Sequence, residues 1–565
     1  MPVGGPTGGH VLRGAIGDQR RRLAAASLLG MTHQACEAMV PVVVGVIIDQ
    51  AVATGSTGTL WRWLLLLAAL FLVLSTCYRT GARITEGAGE KAAHRLRLEL
   101  GTRVLDPRGG ADADRLPGAL TSIATNDAKR VGSAVTVLPY GAAALAALAV
   151  SAVALLRISV PLGLLVLLGI PPLLWLGHRI SRPLEQRSET EQERAAHASG
   201  VAADLVAGLR VLKGMGAESA AVSRYRHTSQ DSLAAALRSA RSRAGHEGAV
   251  LALTGLFIAA IGLAGAYLAM RGTISVGDLV AAVGLAQFLL GPFQLLTYVN
   301  AEFAQGRASA RRIAEVLAAP AAVEPGGATP TDPVAGALRL RGVALGALRG
   351  IDLDIAAGSL TGVVARDPAA ANDLLRCLAR ETDPAEGAIE LDGVPLTALD
   401  PDDLRRVVLV APHDANLFEA SLLDNVRAAA DTASAGIEPA LTASAADDVA
   451  RLLPDGVDTV LAERGRSLSG GQRQRVALAR ALAADRPVLV LHDPTTAVDT
   501  VTESRIAARL REARRGRTTV LVTTSPALLA VTDRVVVLDE GTVTADGSHA
   551  ELVTADAAYR AAVLA

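Results

Sequence analysis

The sequence predicts a polytopic α-helical membrane domain, with six spans and long cytosolic extensions, followed by an α/β domain. Three observations carry this reading. Half of the 565 residues are hydrophobic, aromatics make up only 3%, and mean hydropathy is +0.35. In the first half the apolar residues gather into six runs of membrane-spanning length. The second half instead alternates short β-like runs with helical patterns, the mark of a mainly parallel sheet with helices packed across it. A chain of this length exceeds one domain. The expected division is residues 1–320, a linker at 321–335 and residues 336–565.

The apolar runs lie at roughly 23–48, 60–80, 134–157, 159–180, 247–270 and 276–299. Charge orients them. The 51–59 connection has no Lys or Arg, and the turns after the third and fifth runs hold only Arg157 and Arg271. The segments 79–130 and 179–245 are dense in Arg, and Arg20, Arg21 and Arg22 precede the first run. The positive-inside rule therefore places the N-terminus, both long loops and the second domain in the cytosol of a cell that carries the chain in its inner or plasma membrane, bathed in lipid. Trp61 and Trp63 mark an interface. No short apolar run with a small-residue cleavage site follows the start, so the first apolar helix is expected to act as the insertion signal. The long loops carry Ala, Leu, Glu and Arg at helical spacing, so the membrane helices are expected to continue into the cytosol. Pro320 to Pro333 reads as a linker.

The net charge of −1 and the lack of a strongly basic domain argue against nucleic acid. Cys36, Cys77 and Cys377 show no disulfide or metal spacing and read as packing residues.

In the second half, β-like runs such as 338–345, 359–364, 406–411, 487–492 and 518–523 frame a series of motifs. Residues 468–480 read Leu-Ser-Gly-Gly-Gln-Arg-Gln-Arg-Val-Ala-Leu-Ala-Arg. Around them stand Asp392-Gly393, Leu417-Phe418, Asp424-Asn425-Val426, Glu463-Arg464-Gly465, Ala497-Val498-Asp499 and Asp539-Glu540-Gly541. This order of motifs resembles the ABC transporter nucleotide-binding domain, and residues 468–480 resemble its signature letter for letter. Six spans with cytosolic extensions likewise resemble the exporter-type, or type IV, transmembrane domain of that family. Thr125-Asn126-Asp127 and Leu205 to Glu218 match its coupling-helix regions loosely; solvated helical hairpins are the alternative. The resemblance implies that Ser469, Gly470, Gly471 and Gln472 serve an ATP held by the other half of a dimer, supported by Glu463 and by Asp499 in the D-loop. A helix N-terminus suits that anion, because its free N–H groups and dipole both favour negative charge.

The motifs with which this chain would hold its own ATP and Mg²⁺ are broken. A phosphate loop needs glycines, a Lys for the β- and γ-phosphates and a Ser or Thr for Mg²⁺. Here the positions read Ala365-Arg366-Asp367-Pro368-Ala369-Ala370-Ala371-Asn372-Asp373, with Ala371 at the Lys and Asn372 at the Mg²⁺ hydroxyl. Pro368 removes an N–H donor and fixes φ. Asp367 and Asp373 would oppose a polyphosphate: like charges about 4 Å apart at an effective dielectric near 20 repel by about 4 kcal/mol. Arg366 is the one candidate counter-charge. The alternative is an ordinary strand-to-helix turn.

After the run 488–491, His492 stands at the Walker B acid and Asp493 at the general base; a one-residue shift would leave Pro494 as the base. His413 occupies the Q-loop glutamine position and Thr524 the switch-histidine position. No aromatic stands between Val343 and Leu348 to stack on adenine. Neither His413 nor His492 has paired ligands, so no metal site is expected.

One half-site kept and the other lost implies the non-hydrolysing half of a heterodimeric ABC exporter. Its partner would be a second half with intact Walker motifs, which would hold most of the ATP and Mg²⁺. Simple decay would have eroded the signature, D-loop and Glu463 loop too. A regulatory or scaffolding membrane pseudo-ATPase remains open, as does a siderophore-type importer on the same fold. The transported small molecule or peptide is not legible. His33 and Glu37, four apart on one helical face, and more weakly Gln294, are candidates for the substrate path. A polar patch on an interfacial part of the helix is the alternative.

Overall fold

The computed structural model describes residues 6–112, 115–413, 416–430 and 436–564, with backbone alone at 177–178 and 181–189. The chain packs as two units, one of residues 1–100 with 118–318 and one of 101–117 with 319–565.

The described residues of the first unit form the helices α1 (Gly8–Asp18), α2 (Arg20–Ile47), α3 (Thr57–Val104), α4 (Pro117–Ser122), α5 (Ala128–Ile158), α6 (Val160–Ala207), α7 (Leu209–Met215), α8 (Glu218–Met270) and α9 (Val276–Leu317). Among the described residues, five stretches are long and apolar enough to cross a membrane: Arg20–Val52, Thr57–Val104, Pro117–Ile158, Glu218–Met270 and Val276–Leu317. The bent pair Thr190–Ala207 with Leu209–Met215 passes the same test together, which gives five or six candidates, and a shorter apolar stretch, Val160–Leu176, opens α6. A span needs about 20 residues, whereas α3 has 48 and α8 has 53. The helices therefore run well past the apolar thickness, as the loop composition predicts.

Close packing in this unit depends on small residues. A Cβ on Gly45 or Gly277 would run into the other's backbone, so α2 and α9 touch main chain to main chain. Asp49, in a π-helical turn after α2, accepts the Gly277 N–H at 2.9 Å and the Ser275 hydroxyl, which fixes the start of α9. Ser275 and Asp278 add a capping box there.

The two coupling-helix matches differ in structure. Thr125 and Asn126 are exposed, but Asp127 is turned inward, where Ser309 and Arg312 of α9 donate to its carboxylate. The stretch Leu205–Glu218 contains α7, set off from α6 by a 65° break and closed by Gly216 at φ 63°.

In the second unit, β1 (Leu338–Leu345), β2 (Leu348–Ile355), β4 (Glu386–Leu391) and β5 (Val394–Pro395) form an antiparallel sheet in the order β2-β1-β4-β5. A second sheet runs β10-β9-β3-β8-β7-β6, from β3 (Leu360–Ala365), β6 (Val408–Ala411), β7 (Val488–His492), β8 (Thr518–Val522), β9 (Arg534–Asp539) and β10 (Thr542–Gly547). Only β10 pairs antiparallel in it. β3, β7 and β8 are buried nearly end to end. That is why they read as continuous apolar runs rather than as alternation. Residues 406–407 of the predicted β-run close α11 (Pro401–Val407) instead.

Helices α10 (Pro368–Leu378), α12 (Leu422–Arg427), α13 (Ile437–Ala443), α14 (Ala446–Leu452), α15 (Gly470–Ala483), α16 (Thr500–Ala513), α17 (Pro526–Leu529), α18 (His549–Ala555) and α19 (Ala557–Leu564) complete the unit. Cys377 lies in its core, and burial pushes its thiol up to about 11, as a packing residue requires. Arg514 is 4% exposed and has no carboxylate among its bonds; it donates to the carbonyls of Arg486, Pro487 and Thr518 and to the Thr519 hydroxyl. Its guanidinium pKa is drawn down to about 10 by that burial. The segment after α9 is held too: Arg103 donates to Ala319 O at 2.9 Å, and Ala322 N–H donates to Arg108 O at 3.0 Å.

Candidate functional site

Four strand ends of the second unit bring the motif positions together. At the end of β3, the chain leaves Ala365 and enters α10 after only Arg366 and Asp367. Asp367 is the N-cap, its Oδ1 accepting the Ala369 N–H at 2.9 Å, and Pro368 takes the first helical position. Asp and Pro are apt residues there, since one supplies an acceptor and the other has no N–H to lose. The helix thus winds up Pro368, Ala369 and Ala370, which in a phosphate loop would curl around the anion. Ala371 is 5% exposed and packs into the core beneath the sheet, and Asn372 points to solvent.

Both acidic side chains of this stretch are occupied. Asp367 caps α10, and Asp373 Oδ2 accepts the Ala347 N–H at 2.8 Å. That second bond lashes the β1–β2 turn to α10. Gly346 sits in the turn at φ 55°, so tight against the Asp373 carboxylate that a Cβ would collide with it. Arg366, expected from sequence as the local counter-charge, is turned elsewhere. Its guanidinium pairs with Asp539 at 2.6 Å and lies 3.9 Å from Asp556. A cation already matched by two carboxylates is a poor partner for a third anion.

At the end of β7, His492 Nε2 lies 3.8 Å from Asp493 Oδ2. Asp493 has φ 43°, a strained value for a residue with a Cβ. It is held there by its N–H to Val522 O at 3.0 Å and by the Thr523 hydroxyl, which donates to Oδ1 at 2.8 Å. Thr524, at the predicted switch position, is exposed. Its neighbour Thr523 is the residue whose hydroxyl meets Asp493. His413 is 3.5 Å from the Thr496 hydroxyl, and its ring lies 5.9 Å from that of His492. His413, Gln474, Arg480 and His492 line a cavity of about 170 Å³.

The signature stretch has a different character. Ser469 is the N-cap of α15, and with Gln472 it forms a capping box: Ser469 Oγ accepts the Gln472 N–H, and the Ser469 N–H donates to Gln472 Oε1 at 2.8 Å. Among the described residues no acceptor meets the N–H of Gly470 or Gly471. A 14-residue helix with open first-turn donors carries a positive end toward solvent. The glycines are needed for a second reason. A Cβ on Gly471 would stand 2.5 Å from Ala497 O, and one on Gly470 would stand 3.2 Å from Ala497 Cβ.

Gln474 locks this approach. It donates to the Thr496 hydroxyl and accepts the Ala497 N–H, each at 2.8 Å. Sequence reading passed over Gln474 and also Glu503, whose Oε1 accepts the hydroxyls of Thr495 and Ser525. Asp499 caps α16 by accepting the Thr502 N–H at 2.9 Å, a bond that holds its carboxyl below the usual range. Glu463 is exposed in a 3₁₀ turn beside Arg464.

In the first unit, His33 Nδ1 is 3.0 Å from Leu74 O, and His33 Nε2 lies 3.5 Å from Glu37 Oε2. The two residues therefore do meet on one face. Gln294 lies elsewhere, in a cavity of about 590 Å³ with Trp175 and His246.

Residues 23–293 match the family described as ABC transporter transmembrane region, and residues 348–496 match the family described as ABC transporter. A multidrug efflux ATP-binding/permease protein of Mycobacterium tuberculosis is 32% identical over 94% of this chain. The chain spans only 45% of that protein's length. An ATP-dependent lipid A-core flippase of Thiobacillus denitrificans is 30% identical over 70% of each chain, and one of Ralstonia nicotianae is 28% identical over 93% of this chain and 90% of its own. Among solved structures, a bacterial Atm1-family ABC exporter with ATP bound superposes with a TM-score of 0.77 and 25% identity, covering 96% of this chain and 98% of that one.

Proposed function

This chain belongs to the ABC transporter family, a multi-pass membrane protein with the exporter fold and a cytoplasmic nucleotide-binding domain, and from that premise we propose that it is the non-hydrolysing half of an exporter. In this reading a second half with intact Walker motifs holds ATP and Mg²⁺. The present chain completes that site with Ser469, Gly470, Gly471 and Gln472, backed by Glu463 and Asp499. Residues 1–320 serve as the membrane domain, 321–335 as linker and 336–565 as nucleotide-binding domain.

The observation that carries the proposal is the contrast between two helix starts. At α10 the first turn is capped by the chain's own Asp367, Ala371 is buried, and no Lys or hydroxyl is placed for a Mg-nucleotide. Mg²⁺ wants hard oxygens, yet the nearby strand end offers His492 and an Asp493 oxygen already bound by Thr523. At α15 the N–H donors of Gly470 and Gly471 remain open. The donor set at the first helix does not suit a nucleotide, and that at the second suits a terminal phosphate.

The experiment is turnover by the assembled complex in lipid. Ser469→Arg is expected to lower ATPase at least about 10²-fold, the scale of a lost donor to developing oxyanion charge. Asp493→Asn is expected to have a small effect. Equal damage from both substitutions would make this half-site catalytic and end the proposal. A membrane pseudo-ATPase without transport would show no turnover with any second half.

A further inference from the structure

The ends of three membrane helices meet around a groove of about 640 Å³. Met39 and Val42 of α2, Val150, Val153 and Arg157 of α5, and Asp278 of α9 line it. Arg157 stands in the last turn of α5 and Asp278 in the first turn of α9. By the positive-inside rule both turns lie on the side away from the cytosol. From Ala149 to Arg157 the groove follows about 12 Å of α5, at 1.5 Å per residue. That is less than half of the roughly 30 Å hydrocarbon thickness, so the groove stays within the outer leaflet.

Arg157 and Asp278 are the charged residues of this lining, and no ion pair joins them. The exposed Arg157 side chain makes no hydrogen bond or ion pair among the described residues. Asp278 Oδ2 accepts the Ser275 N–H at 3.1 Å, while its Oδ1 has no donor among the described residues. Asp49 in turn holds Ser275 and Gly277, so the carboxylate sits on an anchored helix start. Opposite charges that share one groove without meeting suit an occupant carrying both signs.

The chemistry of that occupant follows from the two groups. A purely anionic lipid would satisfy Arg157 but bring its charge toward the Asp278 carboxylate. A quaternary ammonium has no N–H to give to Asp278. A phosphate diester joined to a primary ammonium serves both, the phosphate accepting from the guanidinium and the ammonium donating to the carboxylate. Such charge-assisted hydrogen bonds are the strong ones. Below them the apolar wall, with Val153 60% exposed, offers a bed for an acyl chain. The volume falls within the roughly 300–1,000 Å³ of small-molecule sites, which suits a headgroup and the upper part of its chains.

We propose that this groove holds one aminophospholipid of the outer leaflet, its phosphate on Arg157 and its ammonium on Asp278. The proposal depends on α2, α5 and α9 spanning the membrane and on nothing at the nucleotide sites.

The test is photo-crosslinking of the full-length chain in phosphatidylcholine nanodiscs, with phosphatidylethanolamine carrying a diazirine in its acyl chain as the probe. Saturable labelling of peptides from α2 and α5 is expected. Unlabelled phosphatidylethanolamine should compete at least about tenfold better than phosphatidylglycerol, the scale of a hydrogen bond to a charged group. Arg157→Gln should weaken labelling about tenfold. Asp278→Asn, which can still accept the Ser275 N–H, should erase the preference between the two competitors. Val153→Trp fills the groove from an exposed position and should abolish labelling; it keeps the test open should a charge variant fail to fold. Labelling that does not saturate, or that both competitors reduce equally in the unaltered chain, would mean ordinary annular lipid and overturn the proposal. Labelling unaltered by Arg157→Gln and Val153→Trp would overturn it as well. Competition by soluble glycerophosphoethanolamine as strong as by the lipid would overturn the assignment to a lipid. The assay contains neither ATP nor a second half, so its failure leaves the division of labour at the nucleotide sites untouched.

Discussion

Asp493 and Gly471 show how much a single position depends on what stands next to it. Asp493 keeps a carboxylate where a base would stand, but Thr523 donates to one of its oxygens and His492 flanks the other. On the proposed reading its replacement by Asn therefore changes turnover of the complex little, and Thr523→Val is expected to behave the same way in the same assay. Gly471 has no such freedom. The Cβ of Gly471→Ala would overlap the Ala497 carbonyl oxygen, so the D-loop would have to shift. Overpacking of this kind costs about 1–3 kcal/mol. The expected outcome is a lower thermal midpoint of the purified chain together with reduced turnover of the complex. Unchanged values of both would mean that α15 and the D-loop do not approach as described.

At the scale of elements, α10 and the C-terminal helix pair give separate tests. Asp367→Ala removes the N-cap of α10 and is expected to destabilise the domain by about 1 kcal/mol, read as a shift in its denaturant midpoint, without creating ATP affinity. The pair α18–α19 carries a pH response. His549 Nδ1 is 2.8 Å from the Tyr559 hydroxyl, and burial lowers its pKa. A histidine depressed in the folded state binds fewer protons folded than unfolded. Its contribution is thus complete above its ordinary value of 6.5 and is lost as pH falls below it. Melting curves from about pH 7.5 down to about pH 5.5 should show the midpoint dropping, and His549→Gln should flatten the acid limb. A parallel drop in the variant would place the sensitivity elsewhere.

For the whole molecule, the proposal separates two properties that most members of such a family join. The purified chain alone is expected to bind Mg-ATP poorly, yet to be required for turnover once a second half is present. Calorimetry on the chain in nanodiscs checks the first part; micromolar affinity would contradict it. Co-expression with an intact second half, with and without Ser469→Arg, checks the second. The relatives named as lipid A-core flippases and the multidrug efflux protein leave the cargo open.

What the sequence determined alone are the properties that come from local runs and ordered motifs. Hydropathy gives six membrane helices, where the structure has five or six, and the Arg asymmetry of the loops gives a cytoplasmic second unit, because each span satisfies its own backbone and is selected segment by segment. The order of motifs from Asp392 to Gly541, with Leu468–Arg480 among them, gives the family, and the substitutions at Ala371 and His492 are visible without a fold. The tertiary structure decided what those side chains do. Asp373 meets Ala347 across 26 residues, Arg366 meets Asp539 across 173, and His33 meets Leu74 across 41. Thr523 rather than Thr524 reaches Asp493 because the end of β8 beside β7 sets which hydroxyl faces inward. Such pairings follow from strand order and helix packing, which carry no signature in neighbouring residues. So Arg366 reads from sequence as a free counter-charge, whereas packing has already given it two carboxylates.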